Sequence, residues 1–213
     1  MILAEFIGLL ENRLQQTLPG LTAQLKMSAI KRVHELLRNG SFDHARQSSV
    51  LILFFPLAEK IGFVLMLRPE YDGVHSGQVS FPGGKHEETD ESLVFTALRE
   101  AREEIGIDPR KIQVIGQLTE LYIPPSNFLV TPVAGFQATR PQFVADPKEV
   151  ARIIEVDLDE LLDDNNCQIR EIKLKSGTSL MAPVYILNGQ IVWGATAMML
   201  SELKEILKEM LKS

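Results

Sequence analysis

The stretch that decides the fold spans residues 80–106 and reads SFPGGKHEETDESLVFTALREAREEIG. Its second half predicts a helix from about Asp90 to Ile105, because apolar residues recur every three or four positions and Gly106 then stops the pattern. At about 100° per residue, six apolar side chains fall on one face of that helix. These are Leu93, Val94, Ala97, Leu98, Ala101 and Ile105.

Three glutamates gather beside this apolar face. Glu100, Glu103 and Glu104 are spaced so that their side chains converge on a helix. Converging carboxylates repel each other unless a cation neutralises them, and ligands that are all oxygen favour a hard ion such as Mg²⁺ or Mn²⁺. Taken alone, the pattern also fits a solvated acidic helix face paired with Arg99 and Arg102.

A Gly-Gly turn precedes the helix. Gly83 and Gly84 let the backbone bend sharply and approach a ligand closely. Peptide carbonyls in such a turn can join a metal shell, and peptide amides can meet phosphate oxygens. A turn of this kind just before a carboxylate-bearing helix indicates a binding site for a metal and a phosphate group.

Outside this stretch, the sequence predicts helices at both ends of the chain and strands between them. The predicted helices are residues 1–18, Thr22–Arg38, Val156–Leu162 and Ala195–Lys212. The predicted strands are Val50–Phe55, Gly62–Leu67, Ile112–Leu118, Leu129–Gln137, Gln168–Lys173 and Met181–Leu187. This order predicts an α+β fold, in which a mixed β-sheet packs between helices.

The N-terminal helices form a separate feature in this prediction. We assign residues 1–46 to an N-terminal helical extension and residues 47–213 to the main domain. Paired helices of this kind usually serve packing. We therefore expect the extension to pack on the main domain or on a second subunit.

Composition and charge limit the functional classes. The chain has 213 residues and a net charge of -6, which argues against a broad nucleic-acid-binding surface. The longest apolar run, residues 50–58, is too short to span a membrane and indicates a buried strand. Cys167 is the only cysteine, so no intrachain disulfide can form, and we predict that it is a small core residue. A cytoplasmic protein with neither a membrane nor a nucleic-acid partner is expected.

The stretch at residues 80–106 resembles the Nudix box, in which a Gly and an acidic residue precede R-E-x-x-E-E-x-G. The matching residues are Gly84, Arg99, Glu100, Glu103, Glu104 and Gly106. Counted back from Arg99, the acidic position is Glu91, which leaves one residue too many after the glycine. Either Asp90 takes that position or the loop bulges by one residue. The resemblance implies an α/β/α Nudix sandwich that hydrolyses diphosphate bonds with Mg²⁺ or Mn²⁺.

A second resemblance concerns the residues just upstream. They are similar to the signature of the coenzyme A pyrophosphatase branch, with matches at Arg68, His75 and Gly77 before Phe81-Pro82-Gly83-Gly84. Gly73 stands where that branch has a second Arg, and Pro69 stands where it has Ser. Residues 192–197 are also similar to that branch. The resemblance implies hydrolysis of coenzyme A or its derivatives to 3′,5′-ADP and 4′-phosphopantetheine.

These resemblances also imply metal ligands. Glu100 and Glu104 are expected to be the principal ligands, with Glu103 as an additional ligand and the Gly83 carbonyl as a backbone ligand. Arg99 is expected to orient a glutamate of the same helix through a charge-assisted hydrogen bond.

The catalytic base and the substrate contacts are expected elsewhere. The base is either a helix glutamate or Glu149, which lies in a later loop and could instead be a simple helix-start acid. Arg68, His75 and Gly84 are the expected substrate contacts.

Three alternatives stay open at this point. The substrate could be another nucleoside diphosphate derivative, such as ADP-ribose or a dinucleotide. The chain could be a non-catalytic regulatory module that binds a nucleotide, although such a module would be expected to have lost glutamates that are present here. It could also be an acidic interaction protein without a metal. The Nudix resemblance adds a homodimer as a further expectation.

Overall fold

A mixed β-sheet with helices on both faces forms the body of the molecule. The computed structural model describes residues 3–29, 42, 44–70, 76–174 and 177–211. The helices are α1 (Leu3–Leu14), α2 (Gly20–Gln24), α3 (Leu93–Ile105), α4 (Leu158–Leu162) and α5 (Gly194–Met210). The strands are β1 (Arg46–Leu57), β2 (Lys60–Leu67), β3 (Val79–Ser80), β4 (Gly83–Lys85), β5 (Gln113–Gln117), β6 (Leu121–Ile123), β7 (Phe128–Phe136), β8 (Arg152–Asp157), β9 (Cys167–Lys173), β10 (Ser179–Leu187) and β11 (Gln190–Val192).

Strand β1 is the centre of the main sheet. It pairs in parallel with β7, from Arg46 opposite Phe128 to Phe54 opposite Phe136, and antiparallel with β2. The strand order is β3-β2-β1-β7-β5, while β4 pairs with β1, β6 with β7 and β8 with β2. A second, antiparallel sheet has the order β11-β10-β9.

The core lies on both faces of β1, because successive side chains of a strand point in opposite directions. Leu51, Leu53 and Phe55 pack with the apolar face of α3. Ile52 and Phe54 pack on the other side with residues of α1 and α5. Burial on both faces explains the continuous apolar run of this strand. Within the described residues, no helix has the length and apolar character needed to cross a membrane.

The predicted α+β architecture is confirmed, and each predicted strand is present with bounds that differ by a few residues. Five strands were not predicted from the sequence. Four of them are only two or three residues long, too short to show an alternating pattern. The fifth, β8, runs directly into α4, and its last residue, Asp157, caps that helix by accepting a hydrogen bond from the Asp159 amide. Helix α4 therefore begins at Leu158, two residues later than predicted.

The prediction of a continuous helix over Thr22–Arg38 is wrong. Helix α2 passes into a 3-10 turn that ends at Met27, and Ser28 is extended with ψ 138°. Residues 30–38 lie outside the described part of the chain. The described part of the extension packs on the sheet and on α5, where Ser201 Oγ donates a hydrogen bond to the Ala23 carbonyl over 2.7 Å. The boundary between residues 46 and 47 stays a prediction.

The prediction that Cys167 is a core residue is also wrong, since its side chain is exposed. Cys167 is the first residue of β9, which lies at an edge of the second sheet. An edge position at a strand end leaves one side of the residue uncovered, and the sequence around the cysteine carries no signal for this.

Candidate active site

A cleft of about 1040 Å³ lies where the two sheets, α3 and the start of α5 meet. One part of it is lined by residues that the sequence predicts to be functional. Five residues of that part line the cleft: Gly83, Gly84, Glu100, Glu104 and Glu149. They come from β4, α3 and a loop before β8, so segments far apart in sequence converge here.

Glu104 joins the end of α3 to the Gly-Gly turn. Its side chain is 1% exposed, and its Oε2 accepts a hydrogen bond from the Gly83 amide over 2.7 Å. Its Oε1 lies 3.4 Å from Nη2 of Arg68, and the same nitrogen donates to the Gly83 carbonyl over 3.2 Å. The Gly83 carbonyl and the Glu104 carboxylate are therefore neighbours that share a cation, Arg68.

Gly84 leaves room for the Glu100 carboxylate. A Cβ added at Gly84 would lie 2.5 Å from the Glu100 carboxyl carbon, so this close approach requires glycine. Ser48 of β1 fixes the turn from the other side, because its Oγ donates to the Gly84 carbonyl over 2.7 Å. The turn and the acidic helix are thus fitted to each other.

The carboxylates of the cleft repel one another. Burial raises the pKa of the Glu104 carboxyl to about 8, against the opposing effect of Arg68, and the charges of Glu100 and Glu149 raise it further. Burial also raises the pKa of Glu100, while Arg99 lowers it. Such a set of acidic groups gains stability from a bound cation.

Arg99 and Asp90 clamp the loop to the helix. Nε and Nη2 of Arg99 donate to the two carboxylate oxygens of Asp90 over 2.8 and 2.9 Å. Arg99 also donates to Glu100 Oε1 over 2.9 Å and to the Lys85 carbonyl over 3.1 Å. These hydrogen bonds hold the pKa of Asp90 below its usual range. Arg99 contacts a glutamate of its own helix, and its predicted role of orienting that glutamate stays a prediction.

The donor set fits a divalent metal ion, although the same oxygens now have other partners. Across the described ranges, no three acidic, histidine or cysteine side chains already form a complete metal-binding group. Glu100 is held by Arg99, and Glu104 by the Gly83 amide. A cation would replace these donors. Carboxylate and carbonyl oxygens around a glycine cradle are hard ligands of the kind that Mg²⁺ and Mn²⁺ prefer.

Comparison with known proteins identifies the family. The model of the NUDIX domain matches residues 45–174, more than half of the chain. This chain belongs to the Nudix family. Uncharacterized Nudix hydrolases named NudL are similar to it. The NudL of Photorhabdus laumondii is 37% identical over 131 residues, which cover 62% of this chain and 69% of that protein. The NudL of Yersinia pestis is 33% identical over 160 residues, which cover 75% of this chain and 79% of that protein.

The Nudix fold is found among solved structures as well. The Nudix hydrolase RenU from M. smegmatis superposes with a TM-score of 0.55 at 18% sequence identity, covering 78% of this chain and 87% of that chain. At this identity the likeness concerns the fold alone, and it agrees with the predicted Nudix sandwich.

The Nudix box has an unusual spacing in this chain, and the structure shows how it is accommodated. Asp90 is the acidic residue that Arg99 binds, whereas Glu91 is exposed. Helix α3 begins at Leu93 rather than near Asp90, because Ser92 is the N-cap and its Oγ accepts a hydrogen bond from the Phe95 amide. Asp90 therefore lies before the helix and is free to reach Arg99.

Two other predicted residues of this Nudix protein lie in the cleft. Arg68 follows β2 and is 23% exposed. Glu149 is exposed on a loop that the end of α3 holds in place, since the Asp146 amide donates to the Glu104 carbonyl over 2.9 Å and the Glu149 amide donates to the Asp146 carbonyl over 3.1 Å. The predicted base thus lines the same cleft as the Gly-Gly turn.

One predicted residue is not brought to the cleft, and another lies outside the described residues. Glu103 is 49% exposed, pairs with Arg99 over 3.2 Å and with Arg102 over 3.6 Å, and does not line the cleft. Its role as an additional metal ligand stays a prediction. His75 and Gly73 lie outside the described residues, so the predicted substrate contact at His75 also stays a prediction.

Sequence reasoning missed three residues that line the cleft. Ser48 supports the Gly84 carbonyl from β1, and nothing in the sequence marks a contact between residues 36 positions apart. Met27 and Ala29 of the N-terminal extension also line the cleft. These two residues could have been predicted only if the sequence had shown that the helix ends at Met27. The helical periodicity of the sequence continues to Arg38 and hides that end.

Removal of Asp90 should destabilise this Nudix domain. The Asp90 side chain is fully buried and accepts hydrogen bonds from Arg99, from Thr96 Oγ1 over 2.9 Å and from the Glu87 amide over 3.0 Å. Asp90→Ala is expected to lower the free energy of unfolding by about 2–3 kcal/mol, because four donor atoms lose a buried acceptor. Urea denaturation measures this loss.

The neighbouring exposed carboxylate provides the control. Glu91→Ala should change the free energy of unfolding by less than about 0.5 kcal/mol. Equal losses in the two variants would show that the clamp between Asp90 and Arg99 does not hold the loop.

Proposed function

We propose that this Nudix protein is a metal-dependent hydrolase of diphosphate bonds in nucleoside diphosphate-linked substrates, and that coenzyme A is its principal substrate. The observation that carries the proposal is the convergence of Glu100 and Glu104 with the Gly83-Gly84 turn at one cleft. Buried carboxylates beside a glycine cradle are costly for stability, and they are useful where a cation and a phosphate group bind together.

Mg²⁺ or Mn²⁺ is the proposed cofactor. Glu100 and Glu104 would be its principal ligands, the Gly83 carbonyl a backbone ligand and Glu103 an additional ligand. A bound divalent ion offsets the negative charge of the diphosphate and makes water easier to deprotonate. Arg99 holds Glu100 in position through the contact described above, which keeps one ligand ordered without the ion.

Glu149 is the proposed general base. Its carboxylate is exposed and faces the cleft, so it can take a proton from water. The oxygen of that water forms a bond to one phosphorus atom as the bridging P–O bond breaks, and the bridging oxygen leaves with the other phosphate. Arg68 is the proposed contact for a non-bridging phosphate oxygen, and the position of its guanidinium beside Gly83 and Glu104 supports this.

The choice of coenzyme A rests on the similarity of residues 65–84 to the coenzyme A pyrophosphatase branch. Arg68 of that signature lies in the cleft, and His75 is the second proposed substrate contact. Gly84 is the third proposed substrate contact. It has no Cβ, so its backbone can lie close to the Glu100 carboxylate. The substrate would then span the cleft with its diphosphate over the acidic part.

Product analysis tests the proposal directly. The purified protein is incubated with coenzyme A and Mg²⁺ or Mn²⁺, with a chelator-treated sample as the control, and the products are identified by mass spectrometry. Metal-dependent release of 3′,5′-ADP and 4′-phosphopantetheine is expected. Cleavage of ADP-ribose or a dinucleotide but not of coenzyme A would reject the substrate and keep the reaction. No cleavage of any of them would favour a non-catalytic nucleotide-binding module.

A further inference from the structure

The cleft has a second part whose chemistry differs from that of the acidic part. Six apolar or aromatic side chains from three separate segments line it: Met27, Ala29, Ile172, Leu180, Trp193 and Met199. Apart from the indole N–H of Trp193 and two thioether sulfurs, these six side chains offer no hydrogen-bonding group, although the polar residues Ser28 and Lys173 line the cleft next to them. None of these six side chains has a role in the proposed hydrolysis of the diphosphate.

The N-terminal extension forms one wall of this apolar part, and it is firmly held. Gln24 is fully buried, and its Nε2 donates to the Thr119 carbonyl and to Glu202 Oε2, each over 3.0 Å. Met27 is 3% exposed, and its sulfur lies 3.7 Å from the sulfur of Cys167 on β9. Because this segment contacts both α5 and the second sheet, its position beside the cleft is fixed.

We propose that this apolar part binds an uncharged aliphatic group attached to the diphosphate of the substrate, and that Met27 and Ala29 set the length of the group that fits. The inference rests on the proposed function, since the diphosphate must lie at the acidic part for the group to enter the adjoining part of the same cleft. The N-terminal extension is then a specificity element of the site in addition to a packing element.

An aliphatic group suits this lining better than a nucleobase does. A base would lose water from its ring nitrogens and amino group and would find few partners among these side chains, which disfavours binding. An aliphatic chain has no polar group to satisfy and gains from each methylene that leaves water. Trp193 is partly buried against the apolar cluster of the second sheet, which favours packing over stacking on a base.

Two synthetic probes isolate the aliphatic group from the rest of the substrate. The β-methyl and β-hexyl esters of ADP carry the same nucleotide and the same charge, and they differ only in the chain. Titration calorimetry on the full-length protein is expected to show the hexyl ester binding at least about tenfold more tightly, since its extra methylenes are removed from water. Equal affinities would overturn the inference.

Ala29→Phe should fill the apolar part and reduce the preference for the hexyl ester over the methyl ester to less than about twofold. Leu9→Ala is the matched control, because Leu9 is 40% exposed on α1 and does not line the cleft. A variant with Ala29→Phe that keeps the full preference for the hexyl ester would contradict the proposed wall.

Met27→Ala is a second test variant, and it enlarges the apolar part instead of filling it. It should increase the affinity for a β-decyl ester relative to the β-hexyl ester, and an unchanged ratio would remove Met27 from the wall. The two proposals can fail separately. Hydrolysis of coenzyme A without a preference for longer chains would refute the inference alone, whereas a clear preference without hydrolysis of any substrate would refute the proposed function alone.

Discussion

Glu104→Gln is expected to lower the turnover number for coenzyme A by about three orders of magnitude while the protein remains folded. Glutamine has nearly the volume of glutamate, and its carbonyl oxygen can still accept the hydrogen bond from the Gly83 amide. It lacks the negative charge that would hold a divalent ion. The loss should therefore appear in catalysis and not in packing.

Circular dichroism and thermal denaturation establish whether the variant is folded, and the product assay gives the turnover number. The midpoint of unfolding should be unchanged or higher, because burial and the charges of Glu100 and Glu149 disfavour ionisation of Glu104 in the folded protein but not in the unfolded chain, and glutamine removes this cost. Glu88→Gln is the control, an exposed glutamate outside the cleft, and should leave turnover intact. Near-normal activity of Glu104→Gln would remove Glu104 from the site.

Gly83→Ala is expected to have the largest effect on stability, a loss of at least about 4 kcal/mol in the free energy of unfolding. Gly83 has φ +149°, a conformation that L-residues rarely adopt. An added Cβ would lie 2.3 Å from the Ser49 carbonyl oxygen and 2.5 Å from the Val50 Cα. Both are backbone atoms of the central strand, so neither can move aside cheaply.

The adjacent glycine gives a matched comparison. At Gly84 the three atoms nearest to an added Cβ all belong to the carboxylate of Glu100, the far end of a flexible side chain. Gly84→Ala should therefore cost less than about 1 kcal/mol of stability but displace Glu100 and lower turnover by about tenfold or more. Urea denaturation and the product assay separate the two effects. Similar stability losses at both positions would show that the backbone of β1 yields more easily than the close contacts indicate.

The central helix could be predicted because its signals are local. Six apolar residues at helical spacing locate its buried face, and a glycine in the left-handed conformation, Gly106, ends it as predicted. The glutamates that converge at the cleft, Glu100 and Glu104, follow from the same spacing. Strand β1 could be predicted for a related reason. A strand buried on both faces is apolar at successive positions instead of alternating between apolar and polar residues, and this run is visible in the sequence.

The parts that could not be predicted depend on contacts between distant residues. Ser48 and Gly84 meet only because β4 pairs with β1, and no local pattern encodes that pairing. Met27 enters the cleft because α2 docks on α5 and then stops, although the sequence continues with helical periodicity. In both cases tertiary packing decides the outcome over local preference. The spacing of the Nudix box left two candidates for the acidic residue, and the N-cap at Ser92 decides between them.

The parallel pairing of β1 with β7 has a consequence for folding kinetics. Ser49 and Thr131, which these strands bring together, are separated by 82 residues, and the whole Nudix box lies in the loop between them. Closing so long a loop is an entropic cost that must be met before the pairing stabilises the chain, so the topology favours slow folding. The Gly-Gly turn rests on β1 and is complete only when the central sheet has formed. A ligand of this site therefore recognises the native state alone, and it should prolong the lifetime of the folded protein without accelerating its formation.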